Sequence, residues 1–244
     1  MKIHRFFVSD ALPEVGAECA ISDARVARHA TQVLQLRPGE RIEIFNTDRT
    51  VQAEIVRATK DGLFVIVLGD VPRKAEYDVT LYQAIVKGDA FDTIVEKATE
   101  LGVRRIVPMV SGRTIKTDVR VDRLMRIATE AAEQCGRSVI PEIVSPISFS
   151  LACAEAAKSK CFLVCDTADT TPYFFDAPVF PVSVFIGPEG GWTDKERDMF
   201  RAHNARFVSL GNTVLRADTA ETVSVFFSLY CVHRVLRICQ ECGF

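Results

Sequence analysis

Short apolar runs dominate the first part of the chain. Four of these runs, in which apolar and polar residues mostly alternate, predict β-strands: His4–Val8, Arg41–Phe45, Val51–Val56 and Leu63–Leu68. One helix is predicted between them, from Ser22 or Asp23 to Leu34, with Ser22 as a candidate N-cap. The residues up to about Val71 therefore predict a small β-rich barrel or sheet.

The rhythm changes after residues 69–76, a polar stretch with Gly69 and Pro72 that is typical of a linker. Beyond it, apolar strands alternate with helices, which predicts a parallel sheet covered on both faces. The predicted strands are Val79–Val86, Arg105–Val110, Cys161–Cys165, Val182–Ile186 and Arg206–Leu210, and the predicted helices are Asp89–Leu101, Val121–Cys135, Leu151–Ala157, Asp194–His203 and Thr219–Ile238. We predict an α/β fold with domains at 1–72 and 73–244.

The composition changes this picture in two respects. A hydrophobic content of 48% over 244 residues can fill a core, whereas a formal net charge of −2 gives no overall attraction to nucleic acid. Any RNA contact must therefore come from a local basic patch. No apolar run is as long as a membrane span, and the first residues lack the apolar core of a signal peptide, so we expect a cytoplasmic protein.

The cysteines predict reduced thiols rather than disulfides. Six of the eight lie in apolar or helical contexts without the spacing of a disulfide framework. Cys239 and Cys242 form a CxxC pair with His233 upstream, which leaves a metal site conceivable. Because zinc needs four ligands and no second pair exists in the sequence, we predict no metal.

The sharpest local motif is Phe185–Thr193, where a buried strand runs into a glycine-rich turn and then a helix. Thr193 and Glu196 have the spacing of a capping box, which predicts the start of that helix. Glycines in such a turn let a ligand approach the backbone, although a purely structural turn is the alternative. The turn lacks the GK[ST] ending of a P-loop, and no GxGxxG follows a strand, so ATP and dinucleotides are disfavoured.

A second strand-loop-helix unit spans Val208–Thr222. Gly211 and Asn212 supply a bend, and Asp218 or Thr219 is the candidate cap of the last helix. Arg216 lies in the loop, where it is either an anion clamp or a solvated surface residue.

A third cluster ends a predicted helix at Gly136, its candidate C-cap. Glu130, Glu133 and Arg137 lie on neighbouring faces of this helix and are candidates for pairing on the surface. Several arginines between positions 104 and 126 make the middle of the chain locally positive, as phosphate contact requires.

Together these motifs resemble the bacterial 16S ribosomal RNA (uracil-N3) methyltransferase family, a branch of the SPOUT methyltransferases. The matching segments run in order over nearly the whole chain: His4–Phe7, His29–Glu40, Gln83–Ala84 with Lys87–Gly88, Lys97–Val103, Glu133–Arg137 with Pro141, Ile186–Gly191 and Leu210–Ala220.

The resemblance implies a PUA-like RNA-binding barrel followed by a SPOUT domain with a trefoil knot, and a homodimer that acts on 16S ribosomal RNA or the small ribosomal subunit. It implies S-adenosyl-L-methionine as methyl donor, bound by Ile186, Gly187, Pro188, Glu189, Gly190, Gly191, Leu210, Gly211, Val214 and Leu215. Together with the charge pattern it predicts RNA contact by Arg5, His29, Lys87, Arg113 and Arg137.

Uridine N3 becomes nucleophilic only when its proton leaves, so catalysis needs alignment with the methyl group and stabilisation of the uracil anion. Arg216 is the candidate stabiliser, and Asp218 or Glu189 is the candidate proton acceptor, with direct loss to water as the alternative. Gln35 and Thr213 stand where the family usually has arginine, and Asp218 where it usually has glutamate. These departures motivate a second hypothesis, a non-catalytic RNA-binding or ribosome-assembly protein with the same fold.

Overall fold

The computed structural model describes residues 3–59, 62–73, 76–115, 117–167, 179–210, 213, 215–220 and 222–226. The chain forms two compact units. Unit 1 comprises Met1–Ala75 and Thr129–Ile140, and unit 2 comprises Glu76–Ala128 and Pro141–Phe244. Unit 1 thus includes a segment from later in the chain, and the predicted domain boundary at 72/73 stays a prediction. In the described part of the chain, no helix is long and apolar enough to cross a membrane.

Unit 1 is built on a five-stranded sheet with one short helix. Its elements are β1 (His4–Phe7), β2 (Glu18–Ile21), α1 (Ala24–Arg28), β3 (Arg41–Phe45), β4 (Thr50–Ala58) and β5 (Leu63–Asp70). The strand order is β1-β3-β4-β5-β2, with β1 and β3 parallel and the other pairs antiparallel. Alternate residues of these strands, among them Phe6, Ile42 and Val65, are fully buried in one apolar core.

Three features of unit 1 differ from the sequence prediction. Strand β2 was not predicted, because Ile21 is its only buried residue and the apolar alternation is therefore weak. The predicted cap Ser22 is wrong: the side chain of Asp23 accepts hydrogen bonds from the backbone N–H groups of Arg25 and Val26. Helix α1 is also shorter than predicted, since the chain continues after it as a π-helical turn, His29–Val33.

The later segment of unit 1 is held by charged side chains. The Glu133 carboxylate accepts hydrogen bonds from Phe7 N at 2.8 Å and from Arg25 Nη1 at 3.0 Å. Arg5 donates to the carbonyl of Gly136 and, at 2.9 Å, to Ser138 Oγ. The Glu133 side chain is only 7% exposed, so the prediction of surface pairing on this helix is wrong for Glu133. Gly136 has a φ of 82°, as the predicted C-cap requires.

Unit 2 contains a parallel sheet with helices. Its elements are β6 (Val79–Ala84), α2 (Ala90–Leu101), β7 (Arg105–Val110), α3 (Val121–Cys135, which runs on into unit 1), β8 (Glu142–Ile143), β9 (Ile147–Ser148), α4 (Phe149–Ala156), β10 (Cys161–Cys165), β11 (Val182–Ile186), α5 (Asp194–Ala202) and β12 (Arg206–Val208). The main strand order is β12-β10-β11-β6-β7-β8, and β9 pairs with β7. All these pairs are parallel, which confirms the predicted α/β class.

The order of the strands places β11 between β6 and β10. The chain therefore builds the sheet outwards from β6 through β7 to β8, and then adds β10, β11 and β12 on the other side of β6. Open parallel sheets bind ligands where the direction of building reverses, beside the carboxyl ends of the strands. The boundary between β6 and β11 is such a place.

An aromatic cluster packs on one face of this sheet and holds α5 there. Phe200 of α5 makes edge-to-face contacts with Phe185 of β11 and with Trp192, at centroid distances of 5.3 and 4.9 Å. Trp192 and Phe200 are almost completely buried. Because Trp192 lies just after the glycine-rich turn, this packing attaches the end of the turn to the sheet.

Candidate donor and substrate pocket

A cavity of about 560 Å³ opens at the carboxyl edge of the parallel sheet. Residues that follow β6, β7, β10, β11 and β12 line it, including Lys87, Arg113, Asp166 and Leu210. Parallel strands end at the same edge, which is why segments far apart in sequence meet here. The volume is in the range of small-molecule sites.

The wall beside β11 is the segment Gly187–Thr193, called here the glycine loop. Its end is set by the capping box, which is confirmed: Glu196 N donates to Thr193 Oγ1 at 3.3 Å, and Thr193 N donates to Glu196 Oε2 at 2.8 Å. Gly191 has a φ of 65°, a left-handed conformation that favours glycine. A Cβ at Gly187 would lie 3.2 Å from the Trp192 ring. Glycine is thus favoured at 191 by the backbone conformation and at 187 by the nearby indole ring.

At Gly190 glycine is favoured for a different reason. A Cβ at this position would lie 3.2 Å from Cδ of Arg113. The side chain of Arg113 therefore lies close to the Cα of Gly190, and the approach of a ligand to the backbone at this position stays a prediction.

The same end of the glycine loop is also attached to β10. Trp192 Nε1 donates to the carbonyl of Cys165 at 2.9 Å, and Arg197 of α5 forms two hydrogen bonds with Asp166, at 2.7 and 3.2 Å. These bonds to Asp166 are the main cause that raises the pKa of Arg197. Burial raises the pKa of Cys165 to about 12, so its thiol stays protonated near neutral pH and is no nucleophile.

Another wall is formed by the described residues of the segment Ser209–Ala220, called here the arginine loop. Arg216 Nη2 lies 3.4 Å from Asp218 Oδ2, and the Arg216 side chain is 81% exposed. Ala220 N donates to Arg216 O at 2.7 Å, so the helical turn begins at Ala217 and Arg216 precedes it. The prediction that Asp218 or Thr219 precedes the helix as its cap is therefore wrong, because both lie inside the first turn.

Most of the predicted donor and catalytic residues line the cavity: Ile186, Gly187, Pro188, Glu189, Gly190, Gly191, Leu210, Leu215, Arg216 and Asp218. Gly211 and Val214 lie outside the described residues, as do most of the predicted last helix and the CxxC pair at Cys239 and Cys242. No three His, Cys, Asp or Glu side chains group as a metal site within the described ranges.

The predicted RNA-binding residues divide into two sets. Lys87 and Arg113 are exposed and line the cavity. In unit 1, Arg137 is buried, Arg5 is bonded to the backbone and Ser138 as described, and His29 packs against the ring of Phe6 at 5.8 Å. The second set, Arg5, His29 and Arg137, therefore makes contacts within unit 1. RNA contact by any of the five residues stays a prediction.

Sequence reasoning missed Asp166, Arg197 and Trp192. Asp166 directly follows the predicted strand Cys161–Cys165, so a polar residue at the carboxyl end of a buried strand was the available signal. Arg197 had no such signal, because its partner is known only once β10 and α5 are neighbours.

Two family models match the chain, and they define its class. A model described as an RNA methyltransferase domain matches residues 73–227, and one described as an RNA methyltransferase PUA domain matches residues 21–68. The first match covers more than half of the chain. The protein therefore belongs to the RNA methyltransferase family, with a PUA domain in front.

Three individual proteins that are similar to this chain all carry the name of a methyltransferase. A "Ribosomal RNA small subunit methyltransferase E" from Synechocystis is 36% identical over 155 residues, which are 60% of this chain and only about half (51%) of that protein. The crystal structure of the enzyme of that name from Neisseria gonorrhoeae, bound to S-adenosyl methionine, has a TM-score of 0.85 and 28% identity, covering 92% of this chain and 95% of that one. A Legionella pneumophila putative methyltransferase in complex with SAM gives 0.82 and 29%, with coverage of 92% and 96%.

Proposed function

We propose that this protein transfers a methyl group from S-adenosylmethionine to N3 of a uridine in small-subunit ribosomal RNA. The observation that carries the proposal is the cavity between the glycine loop and the arginine loop, in a chain that is similar to two solved structures that hold that donor. The non-catalytic alternative keeps the same fold, so only chemistry separates the two.

The residues of the cavity fit the donor. Backbone groups of Ile186–Gly191 and Leu210–Leu215 would hold its nucleoside, since a glycine-rich turn exposes N–H and C=O groups to a ligand. Glu189 and Asp218 are acidic and suit the ammonium and sulfonium charges, whereas Arg216 suits an anionic group. When bound, S-adenosylmethionine supplies a methyl group already activated by the sulfonium.

The protein then has to prepare uridine. N3 lies on the pairing edge of the base, so the nucleotide must be unpaired or flipped out to reach the cavity. The N3 proton would pass to Asp218, Glu189 or water. The electron pair left on N3 would then form the bond to the methyl carbon while the bond from that carbon to sulfur breaks, so that the donor leaves as neutral S-adenosylhomocysteine. Arg216, exposed at the mouth of the cavity, donates to the uracil anion or to a neighbouring phosphate.

The resemblance to the family supports the remaining parts of the proposal. We propose that unit 1 contacts RNA, that the fold contains a trefoil knot, and that two chains pair so that both contribute to one site. The substrate is the small ribosomal subunit or its 16S RNA, which a protein in the cytoplasm meets.

The test is methyl transfer with mapping of the product. Purified chain is incubated with unmethylated small ribosomal subunits and isotopically labelled S-adenosylmethionine, and the RNA is digested and analysed by mass spectrometry. We expect labelled 3-methyluridine at one position. Labelled methyl on another atom would contradict N3 specificity, and RNA binding without transfer would favour the non-catalytic alternative.

A further inference from the structure

Glu196 has more partners than a capping box provides. Its Oε2 accepts from Thr193 N and from Thr193 Oγ1, both at 2.8 Å, as the capping box requires. Its other oxygen, Oε1, accepts from Gly112 N at 2.8 Å, in the segment that follows β7. The residue is only 6% exposed, so both oxygens depend on these donors for their hydrogen bonds.

Arg113, the residue after Gly112, returns to the glycine loop. Its guanidinium donates to the carbonyl of Gly190. Its aliphatic stem covers Gly190, where a Cβ would come within 3.2 Å of Arg113 Cδ and 3.4 Å of Arg113 Cβ. Arg113 is otherwise exposed at the edge of the cavity.

These hydrogen bonds and the backbone between them form a closed ring of contacts, called here the circuit. Glu196 accepts a hydrogen bond from Gly112 N, and the next residue, Arg113, donates to the carbonyl of Gly190. The backbone then runs from Gly190 to Thr193, whose N–H also donates to Glu196. Each peptide group from 190 to 193 therefore lies between two fixed points. Trp192 is fixed separately by its bond to Cys165 O.

We propose that Arg113 and Glu196 are positioning residues for the methyl donor, acting through the backbone of Gly190 and Gly191. This inference rests on the proposed function, because it assumes that S-adenosylmethionine binds against the glycine loop. It reassigns Arg113, which the charge pattern favours as a phosphate contact. A ligand held by backbone groups has an affinity that depends on their orientation, so loosening the circuit lowers donor affinity without removing any side chain that touches the donor.

The first experiment tests whether Arg113 positions the methyl donor or contacts RNA. Arg113→Met removes the bond to Gly190 O but keeps an apolar stem, Arg113→Lys keeps a charged donor, and Arg201→Met removes an exposed arginine of α5 as a matched control for charge. Calorimetry measures S-adenosylmethionine affinity, and filter binding measures affinity for small ribosomal subunits without donor. For Arg113→Met we expect a roughly tenfold loss of donor affinity and RNA affinity within about twofold of the Arg201→Met control. Arg113→Lys should recover part of the donor affinity.

The second experiment distinguishes the role of Glu196 in the circuit from its role in the capping box. Glu196→Gln replaces one acceptor by an amide donor and so disrupts the circuit, whereas Thr193→Ala removes the hydroxyl of the capping box and leaves the bond between Glu196 and Gly112 possible. Both variants should lower the melting temperature, but only Glu196→Gln should raise the donor KM, by about fivefold or more, with a smaller change in kcat. In the double variant Arg113→Met/Glu196→Gln the losses of donor affinity should not add, because both act on the same loop.

Three results would overturn the proposal. In the first, donor affinity is unchanged in Arg113→Met while RNA affinity falls, which would make Arg113 an RNA contact. In the second, Thr193→Ala and Glu196→Gln lower donor affinity equally, which would make the effect one of helix capping. In the third, the losses add fully in the double variant. Absence of donor binding by the unmodified protein would instead contradict the proposed function itself. If Glu196→Gln does not fold, the exposed Arg113 variants still decide.

Discussion

The glycine loop and the arginine loop bound the same cavity but are held in different ways. The glycine loop is bonded to Cys165 at the end of β10 on one side and to Arg113 after β7 on the other, and Glu196 accepts both from its last residue, Thr193, and from Gly112. In the arginine loop, the two candidate catalytic side chains, Arg216 and Asp218, pair with each other at 3.4 Å. The comparison shows that one wall of the cavity is fixed by bonds to its neighbours, whereas the other presents an exposed arginine.

This division suits the chemistry that we propose. A methyl donor is the same molecule in every turnover, so a preformed wall loses little entropy on binding it. A uridine must arrive as part of a large RNA and be unpaired first, so the group that meets it has to be reachable. The high exposure of Arg216 and the burial of Trp192 and Glu196 are consistent with this division.

Trp192→Ala tests how far the glycine loop depends on the aromatic cluster. It removes a fully buried indole and its bond to Cys165 O, and should lower the free energy of unfolding by about 3–5 kcal/mol. Trp192→Phe retains an aromatic ring and should cost less. Urea unfolding of both variants gives the answer, and a loss under about 1 kcal/mol for Trp192→Ala would show that the loop is held mainly by its other bonds.

Arg216→Ala tests the arginine loop. If Arg216 stabilises the uracil anion, kcat should fall about 100- to 1,000-fold while the calorimetric affinity for S-adenosylmethionine stays nearly unchanged. Arg201→Ala on the surface of α5 is the control. An equal loss of donor affinity in Arg216→Ala would place this residue with the donor and would remove the difference between the two loops.

Asp166→Asn tests the attachment of the glycine loop to β10 through α5. The Asp166 side chain is 3% exposed, and its loss of charge leaves Arg197 without its main partner, so we expect a loss of roughly 1–2 kcal/mol in stability. Asp198→Asn is the matched control in the same helix, since its pair with Arg201 is solvent-exposed and should contribute under about 0.5 kcal/mol. Equal effects of the two substitutions in thermal unfolding would contradict a specific role for Asp166.

Gly191→Ala is the mildest change. Its φ of 65° disfavours any residue with a Cβ, but no atom lies within 4 Å of the position that the Cβ would take. The cost should therefore be purely conformational, about 1 kcal/mol, and Gly191→Asn should cost less because asparagine tolerates this conformation. Gly187→Ala, whose Cβ would meet the Trp192 ring at 3.2 Å, should cost more than Gly191→Ala. The reverse order in chemical unfolding would contradict this interpretation.

Much of the local structure could be predicted from the sequence. Helix α3 has the predicted bounds Val121–Cys135, and the strands β10 and β11 also match their predictions. The capping box of Thr193 and Glu196 was predicted from a spacing of three residues. In each case the apolar period or the hydrogen bond that decides the structure is contained within a few neighbouring positions.

The partners of the site residues could not be predicted in this way. Glu196 was recognised as a cap, but its bond to Gly112 depends on the position of β7 relative to α5, and the bond between Arg197 and Asp166 depends on β10 lying beside β11. Arg137 is buried and Arg5 is bonded to Ser138 Oγ at 2.9 Å, and both facts depend on segments that are distant in sequence. The sequence by itself determined most of the strands and helices and the capping box, because those depend on local periodicity and local hydrogen bonds. Only the tertiary structure decided the strand order, and with it which side chains hold the glycine loop in place, because burial and pairing depend on segments that are distant in sequence.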